Sequence, residues 1–73
     1  MIENKDVAKE ISDLMIEFGV RLDKSAALVQ ENCSPEEFNK YRKVVGTLMA
    51  EMLLEVMNPI YVKHPNLKPK ELI

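Results

Sequence analysis

The chain has no tryptophan, one cysteine, one histidine and two glycines among its 73 residues. The single cysteine, Cys33, excludes an internal disulfide. With the lone histidine, His64, it falls short of the four ligands that a structural zinc site needs. Charge of one sign is also missing. Ten basic and twelve acidic residues leave a net charge of -2, which gives no broad attraction to nucleic acid or anionic membranes. No apolar run approaches the roughly 20 residues that span a bilayer. No basic, apolar leader precedes the first helical pattern. With a single cysteine, these features suit a reducing interior, and a cytoplasmic protein without a membrane partner is expected.

A chain of 73 residues allows one domain, taken as residues 1–73. It sits near the lower limit of what its own core can stabilise, and with disulfide and zinc excluded, a second subunit is the remaining staple. A hydrophobic content of 47% and a charged content of 30% suit a folded domain rather than a disordered segment.

What is present is helical periodicity. Val7, Ile11, Leu14, Phe18, Leu22, Ala26 and Val29 step by three or four, with Met15 beside them, which predicts an amphipathic helix over about 5–31 facing inward along that row. Asn4 or Asp6 can cap its start, and Glu17 and Arg21 are spaced for an i,i+4 pair. Gly19 marks either a tolerated interior glycine or a break into two shorter helices; the unslipped apolar spacing favours a continuous helix. Asn32-Cys33-Ser34-Pro35 is punctuation. Ser34 fits an N-cap, Pro35 the first helical position and Glu37 the return arm of a capping box. So short a link makes the helices antiparallel neighbours.

The second helix is expected over about 35–57, ended by Asn58-Pro59. Residues 58–73, with Pro65 and Pro69, are expected to form an extended C-terminal arm. Ile60, Tyr61, Leu67, Leu72 and Ile73 would pin it, and a last helical turn could start at Pro69 and run through Glu71 and Leu72. Helix two carries more apolar surface than one neighbour can cover. Phe38, Tyr41, Val45, Leu48, Met52 and Val56 form one row; Met49, Leu53, Met57 and Ile60 form a second. The resulting expectation is an all-α antiparallel helical hairpin that dimerises into a four-helix bundle. Its dimer or partner interface would comprise Tyr41, Val45, Gly46, Leu48, Met49, Met52, Leu53, Val56, Met57 and Ile60. Gly46 and Ala50 are small residues four apart that would admit a close helix, and Met49, Met52 and Met57 either fill an ordinary dimer core, the favoured reading, or offer an adaptable surface.

No catalytic residue, metal ligand or cofactor site is expected. Asp6, Glu10, Asp13 and Glu17 lie opposite the apolar row, as a solvated face does. Glu36, Glu37, Glu51 and Glu55 invite comparison with all-helical nucleotide pyrophosphatases, which gather carboxylates around magnesium. Here Lys40 stands where a further acid is wanted, and several helical turns separate the two pairs. Cys33, near a helix start, has no neighbouring base. Lys40, Arg42 and Lys43 around Tyr41 form a candidate nucleic-acid contact. Two hairpins pairing into a four-helix dimer resemble in architecture the small plasmid-encoded RNA-binding helical dimers, though three basic residues neutralise few phosphates. The function expected is a small protein-interaction module (an adaptor, inhibitor or neutralising partner) working as a homodimer without catalysis. A nucleic-acid-associated dimer comes second and a metal-dependent nucleotide-processing enzyme third.

Overall fold

The computed structural model describes residues 1–69, and among these there is no strand. Helix α1 (Lys5–Asn32) runs unbroken through Gly19, whose φ is not positive. Asn4 supplies its cap: the side-chain oxygen accepts from the backbone N–H groups of Asp6 at 3.0 Å and Val7 at 3.1 Å. That satisfies two of the four amides that a helix start leaves without partners. The i,i+4 ion pair that forms is Lys9–Asp13 at 2.9 Å, not Glu17–Arg21.

Helix α2 (Pro35–Glu51) opens with the expected capping box. The Glu37 N–H donates to the Ser34 hydroxyl at 3.2 Å, and the Ser34 N–H donates to the Glu37 carboxylate at 3.1 Å. Hydrogen bonds from the Ser34 backbone and then its side chain hold the Glu37 carboxyl below its usual range. The Glu37 arm of the cap is therefore fully present at neutral pH and weakens as pH falls through that lowered pKa, while the Ser34 hydroxyl keeps its bond to the Glu37 N–H.

Beyond Glu51 the structure departs from the expectation. Residues Met52–Met57 form a π-helical segment in which the Asn58 N–H bonds to the Leu53 carbonyl, five residues back. Helix α3 (Asn58–Lys63) follows without a break, and a 3-10 turn occupies Pro65–Leu67. The second helical rod thus extends from Pro35 to Lys63, where an extended arm beginning at Asn58 was expected. Proline cannot donate to the ladder, and its ring crowds the carbonyl four residues back. A π turn widens the ladder just ahead of Pro59, so the rod continues. The helical turn expected from Pro69 through Glu71 and Leu72, and the anchoring by Leu72 and Ile73, lie outside the described residues.

The extra residue of a π turn also changes register. Val45 and Met57 are twelve apart, so on an unbroken α-helix their side chains would diverge by ~120°. One inserted residue brings them to within ~20°. Both are buried, 4% and 6% exposed, as are Ile60 at 0% and Tyr61 at 6%. The two apolar rows of the second helix are thus partly one row, joined by the π turn. Residues assigned to a peripheral arm instead supply the centre of the core. Ala8, Met57, Ile60 and Tyr61 form its buried cluster, packed by Ile2, Ile11, Met15, Ile16, Leu53, Val56 and Leu67. This core sits at the open end of the hairpin. There the N-terminal segment is tied down by His64 Nε2, 2.8 Å from the Ile2 carbonyl, and by a Lys63–Glu3 ion pair at 2.9 Å.

Helix α1 faces α2 by a different side from the one its bulky residues indicate. Ala8 and Ser12 are buried at 0% and 2%, while Val7, Leu14 and Phe18 remain 45%, 41% and 47% exposed. Small residues let the second rod come close. The Tyr61 ring can then lie in the core, provided that its hydroxyl finds a partner. Ser12 provides one at 2.6 Å, and Ser25 pairs with Tyr41 in the same way at 2.7 Å.

The buried Ser12–Tyr61 pair gives a direct test. Tyr61→Phe strands the Ser12 hydroxyl and Ser12→Ala strands that of Tyr61, so each change alone should cost about 1–3 kcal/mol. The double variant leaves no orphan and should cost less than the sum of the two. Additive losses in urea denaturation would show that the two hydroxyls are not coupled.

Candidate interaction surface

The hairpin measures 44 × 19 × 15 Å, so it has two broad faces, each bordered by both helices. One face is grooved. Met15, Ile16, Gly19 and Val20 of α1 oppose Met49, Ala50, Met52, Leu53 and Met57 across a cavity of about 420 Å³, and Asp23 is the one charged residue in its wall. Four of the five methionines in the chain line it. Three of its walls, Met52, Leu53 and Met57, belong to the π-helical segment. A Cβ built on Gly19 would meet the Met49 methyl at 3.8 Å, so the Met49 side chain reaches across to α1 at this level.

The other face carries the bulky row of α1 that the core does not use. Val7, Leu14 and Phe18 are exposed there, with Ile11 and Leu22 half-buried. Helical spacing places Phe18 and Leu22 on the side of α1, and Leu48 and Val44 on the side of α2, that lies away from the groove. Leu48 is 44% and Val44 52% exposed. They border a shallower hollow of about 330 Å³ with Lys43, Thr47 and Glu51, all on α2.

The ten residues expected at an interface divide between these places. Val45 and Ile60 are buried inside the hairpin, and Met57, also buried, forms part of the groove wall. The π turn and the small residues of α1 let one chain bury these side chains. Met49, Met52 and Leu53 line the groove, half-buried, and Val56 packs against the core. Tyr41 is half-buried and bonded to Ser25. Leu48 is exposed, and Gly46 lies open with nothing within 4 Å of its Cβ position. Helix spacing could not reveal the exposed α1 row, because that row reads as core; the signal that it is not lies in Ala8, Ser12 and Gly19, whose small size marks the side of close approach.

Lys40, Arg42 and Lys43 are all exposed. Lys40 and Lys43 share an edge of α2, but Arg42 is turned ~160° from Lys40. Its guanidinium lies 5.8 Å from the centre of the Phe38 ring. Asp6, Glu10, Asp13 and Glu17 are exposed, and Glu36, Glu37, Glu51 and Glu55 do not converge. Among the described residues no group of three or more acidic, histidine or cysteine side chains could hold a metal ion. Cys33 is a free, exposed thiol in the interhelix turn. No helix among the described residues is long and apolar enough to cross a membrane.

What this geometry defines is a class: an all-helical hairpin with a small core and two apolar broad faces. No protein-family description, no curated protein and no solved structure matches the chain.

Proposed function

We propose that the chain is a small protein-interaction module that works as a helical homodimer, with no catalytic step of its own. The observation that carries this reading is surplus surface. A compact monomer of 8.4 kDa has about 4,600 Å² of accessible surface, whereas this chain exposes 5611 Å². The excess, about 1,000 Å², is close to the ~800 Å² that one partner contributes to a standard interface. Much of what is exposed is apolar: Val7, Leu14, Phe18, Val20, Val44, Leu48 and Leu54 are each between 41% and 61% exposed. Exposed apolar surface of this extent on a small chain suits an interaction protein. The methionines of the groove suit a surface that adapts to another protein.

Sedimentation equilibrium at micromolar concentration tests the reading. The expected mass is twice the 8.4 kDa of the chain. A mass of one chain across the whole concentration range would remove the homodimer and leave the surplus surface unexplained.

A further inference from the structure

We infer that the homodimer seam is the α1 row Val7–Leu14–Phe18 together with the α2 hollow beside Val44 and Leu48, not the methionine groove on the opposite face. The inference rests on the dimer reading above and adds which face closes it.

The argument is one of self-complementarity. Homodimers with a twofold axis use the same patch on both copies, so that patch must carry both a projection and the recess that receives it. The face with Phe18 has both. Val7, Leu14 and Phe18 are 41–47% exposed along α1, and α2 carries a shallow hollow of about 330 Å³ bordered by Val44 and Leu48, themselves 52% and 44% exposed. A twofold rotation lays the α1 ridge of each copy over the α2 recess of the other. The groove face carries one bulky exposed residue, Val20, beside a larger recess of about 420 Å³ between the two helices, whose methionines and Leu53 are at least half-buried. Two such recesses face to face would enclose a void roughly twice as large, which close-packed interiors do not contain.

The area of one face suits the surplus of about 1,000 Å² per copy. The broad face, 44 × 19 Å, has a footprint of about 800 Å², enough for one partner's share of a standard interface. A small apolar ligand could not cover a ridge that runs from Val7 to Phe18 along three turns of helix.

The test pairs two changes of equal chemistry at residues of equal exposure, Phe18→Glu at 47% and Val20→Glu at 49%. Both sit on the same helix, on opposite faces of the hairpin. Phe18→Glu should raise the dimer dissociation constant at least ~30-fold, as the loss of an interface anchor does. Val20→Glu should leave it within about threefold. The reverse pattern would overturn the assignment of the face while leaving the dimer standing, and loss of dimer in both would overturn it as well. A monomeric parent chain would take away both the seam and the proposed function. Should Phe18→Glu fail to fold, isotope-filtered NOEs in a mixed labelled and unlabelled dimer decide the matter. Contacts from the Phe18 ring to Leu48 methyls of the other copy support the seam. Contacts confined to the methyls of Met49 and Met52 overturn it.

Discussion

Ile60→Ala should cost about 2–5 kcal/mol, the range for truncating a fully buried aliphatic side chain. Ile60 has no exposed surface and lies in the cluster with Ala8, Met57 and Tyr61. A chain of this length has a total stability of about 4–11 kcal/mol, so this one change removes a large part of it. In a domain this small the melting temperature should fall by at least ~8 °C, compared at fixed protein concentration because the proposed dimerisation would also contribute. Val62→Ala, two residues on and 83% exposed, should do nothing measurable. The pair separates a core helix from a peripheral arm. If residues 60–63 were an arm lying over the bundle, both changes would be mild. Thermal denaturation followed by circular dichroism measures the difference.

How much of this was legible in the sequence depended on how far apart the deciding residues lie. The turn was readable because its causes are local. Ser34, Pro35 and Glu37 lie within one helical turn, and each preference can be met without the rest of the protein. The continuity of α1 through Gly19 was readable for a similar reason, since the apolar spacing runs through it. The orientation of α1 was not. Periodicity ranks positions by hydrophobicity and so selects Val7, Leu14 and Phe18, whereas close approach selects Ala8 and Ser12. The deciding fact is the Tyr61 ring and its hydroxyl, 49 residues from Ser12. The same distance hid part of the candidate surface: a row taken for core could not be offered as an interface. The rod beyond Pro59 was missed because proline's local cost is certain, while the compensating π turn is justified only by the burial of Met57, Ile60 and Tyr61 against α1.

That account of the π turn makes an expectation about chain length rather than side chains. If Met52–Met57 hold one residue more than an α ladder needs, removing one exposed residue there should convert the segment to α-helix and leave Met57, Ile60 and Tyr61 facing α1. Glu55 is exposed and bonded to no other side chain among the described residues, so it is the one to delete. Pro59 would then sit in an ordinary ladder and clash four residues back, so the deletion is combined with Pro59→Ala, which restores the missing donor. This double variant should fold, unfold cooperatively and keep the helicity of the parent. Deleting Lys24, equally exposed but in the regular α1 helix, has no spare residue to absorb it. One missing residue there turns Ala8 and Ser12 by ~100° relative to Ser25. The Ser12–Tyr61 and Ser25–Tyr41 pairs can no longer form together, and the variant should lose cooperative unfolding. Equal damage from the two deletions would mean that the π turn is not what sets the register of the core. Survival of the Glu55 deletion alone would tie that segment to register, with Pro59 a passenger that the α ladder can also accommodate.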